Sequence, residues 1–260
     1  MQMEDSGRSY SNNKEKNLDL LAYKKKILIA CSMIEDEINA VFDCFNIRDI
    51  EVRWQERGHH NDPDKLRDVV QTEIYKAEED GADLIMLAYG LCGNGAVGWR
   101  TETATLVMPR FDDCVNMMLC TGKRDRRNYL KAGHMYLTGG WSKDEGALLD
   151  MFESYLAKYG KRKADKLMKM MLDSYTSVTV IDTGCYEMEP VIAYADECAE
   201  RFCLERRIVP GGNEVMQKLI TGCWDDDIIV KDPGSPVAEE EFNFEGEAGA
   251  EYGQLMRRTR

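Results

Sequence analysis

Short apolar runs alternate with segments of helical periodicity along the chain, and this alternation constrains the fold more than any other sequence feature. Alternation of this kind is typical of βαβ units, in which parallel strands are connected through helices. The predicted strands are 26–32, 50–54, 83–90, 105–109, 134–140, 177–182, 207–210 and 227–234. The predicted helices are 33–45, 63–80, 112–119, 143–174, with a break at Tyr159-Gly160, and 188–202. The sequence therefore predicts an α/β fold with a mostly parallel sheet flanked by helices.

The length of 260 residues allows one large core or two smaller ones. We expect residues 24–232 to form the α/β part, either as one compact domain or as two lobes that share a cleft, with a lobe boundary near 140–175. Residues 1–23 and the acidic, glycine-rich residues 233–260 have little apolar periodicity. They are predicted to be mobile tails, because such segments bury too little apolar surface to offset their ordering entropy.

Charge and composition exclude several classes of partner. The net charge is −13, so a nucleic-acid or anionic membrane surface would be repelled over most of the protein. The N-terminal 20 residues lack the apolar stretch of a signal peptide, and no apolar run is long enough to span a membrane. We therefore expect a cytoplasmic protein whose nine cysteines stay reduced.

The segment Ala88 to Arg100, AYGLCGNGAVGWR, contains a G-x-G-x-x-G pattern with a cysteine just before its first glycine. A dinucleotide-binding turn requires a helix after the third glycine, Gly98, but a strand is predicted only seven residues later. We expect Gly93, Asn94 and Gly95 instead to turn the chain sharply, so that backbone amides near Cys92 stabilise a thiolate or an anionic ligand.

Cysteine and histidine residues follow the ends of the first four predicted strands: Cys31, His59 and His60, Cys92, and Cys114. The carboxyl ends of adjacent parallel strands lie close together, so these side chains can converge. Three thiolates and one imidazole suit zinc, and sulfur ligands would equally hold an iron–sulfur cluster. Cysteine is also a common small core residue, which is the alternative interpretation. Cys185, which follows the predicted strand 177–182, is a further candidate for a metal ligand or a nucleophile.

Two further patterns have ordinary explanations. The basic residues Lys161 to Lys163, Lys166 and Lys169 are interpreted as a solvated helix face, and the methionines at 168, 170 and 171 as core residues. Asp182-Thr-Gly184 matches the aspartic-protease tripeptide, but the chain has no second copy of it, and the α/β pattern does not fit that all-β fold.

Several motifs together resemble the domain-of-unknown-function 1638 family, DUF1638, of anaerobic bacteria and methanogenic archaea over about residues 26–231. They are Ala30 to Glu37, His60 to Leu66, Tyr89-Gly-Leu-Cys-Gly93, Asp112-Asp-Cys114, Tyr136 to Trp141 and Ile181-Asp-Thr-Gly184. The resemblance implies a site formed by Cys31, His60, Cys92 and Cys114, and it favours His60 over His59. It also implies a context of corrinoid-dependent methyl transfer.

These observations predict a metal-binding protein, with zinc as the expected metal, that activates a thiol to accept a methyl group. Asp112 and Asp113 are the candidate catalytic residues. Asn94 would orient the substrate, and Glu37 is a possible outer partner of the site. The expected partners are a small-molecule substrate and a corrinoid protein or methyltransferase subunit. The alternatives are an iron–sulfur protein that reactivates the corrinoid and a non-catalytic adaptor with a structural metal.

Overall fold

The computed structural model describes residues 20–59, 62–121, 132–142 and 147–242. Within these ranges it has eight strands, each overlapping one of the eight predicted. They are β1 (Lys26–Cys31), β2 (Ile50–Gln55), β3 (Leu84–Ala88), β4 (Thr105–Pro109), β5 (His134–Leu137), β6 (Ser177–Asp182), β7 (Glu205–Pro210) and β8 (Ile228–Lys231).

The described strands form two sheets. The first has the order β2-β1-β3-β4-β8, and all its pairs are parallel except β4 with β8. The second has the order β5-β6-β7 and is fully parallel. The prediction of an α/β fold with a mostly parallel sheet is confirmed. The second sheet begins at His134, ahead of the 140–175 stretch in which a lobe boundary is expected.

Helices connect and cover the strands. They are α1 (Glu35–Cys44), α2 (Pro63–Glu79), α3 (Cys114–Leu119), α4 (Gly139–Ser142), α5 (Leu148–Tyr159), α6 (Lys161–Leu172), α7 (Met188–Phe202) and α8 (Glu214–Thr221). Helices α4 and α8 were not predicted from the sequence. The predicted break between α5 and α6 is confirmed, and Gly160, which lies at the break, has a left-handed φ of 74°. Within the described ranges, no helix has both the length and the apolar character needed to cross a membrane.

Apolar side chains cover both faces of the first sheet and one side of the second. Every residue of β3 is buried, as expected for a strand with helices or loops on both faces. Residues 233–242, which the sequence assigns to a mobile tail, pack against this core in the structure. Val237 and Phe242 are buried there, and the Val237 amide donates to the Trp99 carbonyl at 2.8 Å. Residues 243–260 and most of the N-terminal tail lie outside the described residues.

The two sheets meet through the segments that follow their carboxyl ends. Gly140, after β5, lies so close to the Met33 carbonyl that a Cβ atom would not fit. The Gly212 amide, after β7, donates to the Met118 carbonyl of α3 at 2.8 Å. Ligands of parallel sheets bind beyond these ends of the strands. The residues that follow the strands of both sheets therefore line one shared region.

Candidate metal centre

Cys31 is the last residue of β1, the strand that lies between β2 and β3 in the first sheet. Its neighbour Ala30 is in register with Ala88, the last residue of β3. Cys31 is half-buried and packs with Leu91 and Cys92 against the core on one face of the sheet. The fold thus brings the ends of β1 and β3 together, as expected for residues that follow adjacent parallel strands.

Two main-chain hydrogen bonds connect the loop after β3 to the loop after β4. The Leu91 amide donates to the Phe111 carbonyl at 2.8 Å, and the Cys92 amide donates to the Asp112 carbonyl at 2.7 Å. This close approach depends on Gly90, since a Cβ atom there would lie 2.6 Å from the Phe111 oxygen. The sequence analysis assigns no role to Gly90, although Gly90 belongs to the Tyr89-Gly-Leu-Cys-Gly93 motif and directly follows a buried strand.

The glycine loop turns through consecutive left-handed residues. Cys92, Gly93 and Asn94 have φ values of 47°, 65° and 73°. Left-handed backbone is unfavourable for residues with a side chain, and such strain concentrates at functional sites. Gly95 has a different role, because a Cβ atom there would lie 2.8 Å from Leu66 Cδ2 of α2. Residues 89–104 form turns without a helix, so the dinucleotide interpretation is excluded on structural grounds.

Asp113 and Cys114 begin helix α3. The Asp113 side chain caps the helix by accepting a hydrogen bond from the Asn116 amide at 2.8 Å. Cys114 is the first residue of α3 and is half-buried. Capping therefore gives Asp113 a structural role that is independent of any catalytic one.

The three thiols and the neighbouring carboxyl groups influence one another's ionisation. Burial, followed by the charges of Asp113 and Cys31, raises the pKa of Cys92 to about 12. Burial also raises the pKa of Cys114 well above its usual value, and the charges of Asp113, Cys92, Cys31 and Glu37 raise it further. Burial and then Asp113 raise the pKa of Asp112. Burial and neighbouring negative charges therefore both favour the neutral forms of Cys92, Cys114 and Asp112.

Residues that follow β6 approach the same region from the second sheet. Thr183 donates a hydrogen bond to the buried carboxylate of Glu37 at 3.0 Å. Burial raises the pKa of Cys185, and the Glu37, Asp36 and Glu214 charges add to this effect. Glu37 is thus coupled to Cys114 on one side and to Cys185 on the other. Sequence reasoning missed Thr183, although the Asp-Thr-Gly turn at a strand end was a signal for it.

The histidine of the expected ligand set is described only in part. His59 lies in the loop after β2, where its carbonyl accepts a hydrogen bond from the Asp62 amide at 3.0 Å. His60, which the resemblance favours, lies outside the described residues. Among the residues that the structure does describe, no three His, Cys, Asp or Glu side chains are arranged to hold a metal ion as they stand.

Two solved structures are similar over most of the chain. The crystal structure of a sugar transporter from Clostridium phytofermentans has 11% sequence identity and a TM-score of 0.31, covering 80% of this chain and 100% of that one. The ligand-free, open structure of CD0873, a substrate binding protein with adhesive properties from Clostridium difficile, has 12% identity and a TM-score of 0.27. The match to CD0873 covers 87% of this chain and 95% of the CD0873 chain. At TM-scores below 0.5, neither likeness supports an inference about function.

Sequence comparison identifies the family. No curated protein matches the sequence significantly. The family model described as a protein of unknown function, DUF1638, matches residues 54–220, a shorter range than the 26–231 expected from the motifs. His60, Cys92, Cys114 and the Asp182-Thr-Gly turn fall within the match, whereas Cys31 precedes it. Since the match covers more than half of the chain, this protein belongs to the DUF1638 family.

Proposed function

We propose that this protein binds a metal ion, with zinc as the expected metal, through Cys31, Cys92 and Cys114. The observation that carries the proposal is the pair of main-chain hydrogen bonds from Leu91 and Cys92 to the loop that leads into Cys114. These bonds hold two thiol-bearing loops together beside the end of β1. His60 or a substrate thiol would then supply the fourth ligand of a tetrahedral site.

The chemistry of the donor set supports this proposal. Burial and the neighbouring charges of Asp113 and Glu37 raise the pKa values of the half-buried thiols Cys92 and Cys114. A bound Zn²⁺ ion would compensate the negative charge and hold the sulfurs as thiolates. The main-chain bonds hold the loops of Cys92 and Cys114 together, so side-chain rotation about χ1 is the movement we expect on binding.

The proposed reaction is methyl transfer to a thiol, in the context that the family resemblance implies. Cys31, Cys92 and Cys114 would hold a zinc ion, whose chemistry would be to stabilise a substrate thiol as the thiolate. The thiolate sulfur attacks the methyl group of a methylated corrinoid on a partner protein, forming an S–C bond. The Co–C bond breaks, and its electron pair stays on the cobalt. The thiol proton leaves to solvent when the thiolate forms, so the step is balanced.

The residues of this chain would position and enclose the reacting groups. The Asp113 cap and the hydrogen bond to the Asp112 carbonyl hold the loops that carry Cys92 and Cys114. Thr183 and Glu37 connect the segment after β6 to α1 and thereby close the second side of the site. A reducing cytoplasm is the proposed location, because it keeps the thiols available to the metal.

Metal analysis of anaerobically purified protein, together with its visible spectrum, tests the proposal. We expect about one zinc ion per chain and a colourless protein. Cys92→Ser and Cys114→Ser should each strongly lower the metal content, whereas Cys203→Ser, at an exposed position after α7, should leave it unchanged. A brown protein containing iron and sulfide would instead support the iron–sulfur alternative. Unchanged metal content in both site variants would refute the ligand assignment.

An activity assay then separates an enzyme from an adaptor. Isolated zinc-loaded protein, supplied with methylcobalamin and a small thiol, should produce the methyl thioether. A protein that contains zinc at the assigned cysteines, binds a corrinoid protein and produces no thioether would be an adaptor with a structural metal.

A further inference from the structure

Helix α6 and its flanks differ in charge from the rest of the protein. Residues 158–175 contain six basic and two acidic residues, in a chain whose net charge is −13. The sequence alone explains these cations as a solvated helix face. The structure adds an apolar groove beside them.

Exposed apolar side chains concentrate in the same segment. Seven large hydrophobic residues are exposed among the described residues, and four of them lie between 159 and 175. They are Tyr159 (38% exposed), Met170 (68%), Met171 (39%) and Tyr175 (37%). Met168 is buried as expected, but Met170 and Met171 face solvent, so the prediction that these two are core residues is wrong. Clustered exposed hydrophobic residues mark interaction surfaces more often than isolated ones do.

A cavity of about 770 Å³ opens between α5, α6 and the end of α7. Its apolar lining comes from Phe152, Leu156, Met168, Leu172, Phe202 and Leu204. Its charged lining consists of three cationic and two acidic side chains: Lys161, Lys169, Arg201, Asp165 and Asp173. A groove with an apolar floor and a charged rim is typical of sites that receive one face of an amphipathic helix.

The cations at the rim are available to a partner. Lys161 contacts Asp165 at 2.8 Å, and Arg201 contacts Glu153 at 3.0 Å and Glu197 at 3.2 Å, all through exposed side chains. Exposed ion pairs of this kind contribute little to stability, so their exchange for a partner's carboxylates costs little. Because residues 158–175 carry six basic and two acidic residues, the groove favours an acidic occupant over a basic one.

The groove lies at the opposite end of the second sheet from the candidate metal centre. Its residues Leu172, Tyr175 and Leu204 precede β6 and β7, whereas Thr183 and Cys185 follow β6. Strand β6 has six residues and spans roughly 20 Å. A partner in the groove would leave the metal centre accessible.

We propose that the groove between α5, α6 and α7 binds an acidic amphipathic helix of another protein. Apolar side chains of that helix enter the cavity over Phe152 and Leu172, and its carboxylates contact Lys161, Lys169 and Arg201. This proposal does not depend on the proposed metal site.

The test uses the full-length protein and a synthetic, fluorescently labelled helical peptide with leucines at i, i+3, i+4 and i+7 and glutamates elsewhere. Fluorescence anisotropy should show micromolar binding that weakens as salt is added, because exposed charges are screened. A peptide with lysine in place of glutamate, and an acidic peptide with serine in place of leucine, should both bind at least about tenfold more weakly.

Variants then locate the binding site on the protein. The double variant Lys161→Glu/Lys169→Glu should weaken peptide binding by about tenfold or more. The charge-matched control Lys24→Glu/Lys76→Glu, beside the first sheet, should change it by less than about twofold. Met170→Asp/Met171→Asp changes exposed positions of α6 outside the cavity lining, so it should fold normally and weaken binding through the negative charge that it adds to the basic helix face. Cys92→Ser should have no effect, which separates this test from that of the metal site.

Several results would overturn the proposal. They are equal binding of the acidic and basic peptides, no binding of the acidic peptide, or binding that the groove variants leave intact. Adsorption to phosphatidylserine vesicles in the absence of peptide binding would assign the surface to a membrane. Self-association that Lys161→Glu/Lys169→Glu abolishes, again without peptide binding, would assign it to a second copy of the chain.

Discussion

The hydroxyl of Thr183, directly after β6, donates a hydrogen bond to the buried carboxylate of Glu37 in α1 at 3.0 Å. The two residues are 146 positions apart in the chain and belong to segments that follow strands of different sheets. This bond therefore connects segments that follow the two sheets, beside the candidate metal centre. Its removal should weaken both the packing of these segments and the geometry of the site.

Thr183→Val should lower the free energy of unfolding by about 1–3 kcal/mol, because a buried carboxylate loses a hydrogen-bond donor without a change in side-chain shape. Urea unfolding measures this change. The matched control is Thr103→Val, which removes an exposed hydroxyl-to-carboxylate bond to Glu78 at 3.0 Å. We expect it to cost less than about 0.5 kcal/mol. If the two variants lowered the free energy of unfolding equally, burial of the contact between Thr183 and Glu37 would have no special role.

Gly90→Ala should separate the loops that carry Cys92 and Cys114. The added Cβ would lie 2.6 Å from the Phe111 oxygen and 2.8 Å from the Asp113 nitrogen, both backbone atoms that cannot rotate away. We expect about 1–3 kcal/mol of destabilisation and weaker zinc binding. Gly98→Ala is the control. An added Cβ at Gly98 would contact no other atom, so the left-handed φ of 93° is the one source of strain. It should cost about 1 kcal/mol and leave zinc affinity unchanged.

The two adjacent histidines should differ in their effect on metal binding. His60→Ala should lower zinc affinity by at least about tenfold, because the family resemblance assigns the ligand to that position. His59→Ala should leave it nearly unchanged. Competition with a chromogenic chelator measures both affinities. A loss of zinc affinity in His59→Ala alone would assign the fourth ligand to His59. Unchanged zinc affinity in both variants would indicate that neither histidine is the fourth ligand and that a substrate supplies it.

Asp83 should contribute stability that depends on pH. Burial raises its pKa, but the backbone amides of Lys24 and Lys25, both at 2.9 Å, lower it by more, so its net pKa is depressed. The contribution is therefore fully present above the unfolded-state pKa of about 3.9 and is lost as the pH falls through the lower folded-state value.

Asp83→Asn should therefore cost about 1 kcal/mol at neutral pH, a value that allows for solvent screening at this partly exposed site. The difference from the unmodified protein should shrink as the pH falls below about 4. Urea unfolding over a range of pH measures it. A difference that stays constant down to pH 3 would contradict a charge-dependent role for this carboxylate.

The elements predicted most reliably are those with a strong local pattern. The buried strand β3 and the capped helix α2, which begins at Pro63 after Asp62, both follow from short-range signals. Helix α8 was missed because its eight residues follow a glycine pair and have no side-chain cap. Met170 and Met171 were assigned to the core because apolar spacing alone does not show which side of a helix the fold leaves exposed.

The sequence by itself determined the alternation of strands and helices, the parallel character of the sheets and the placement of Cys31, Cys92 and Cys114 near strand ends. These properties follow from local periodicity and from the geometry of parallel strands. Only the tertiary structure decided that Gly90 allows the Cys92 loop to pack against the Cys114 loop, and that a hydrogen bond joins Thr183, after β6, to Glu37 of α1. Such contacts depend on close packing between segments far apart in the chain, and no local pattern encodes the distance between their atoms.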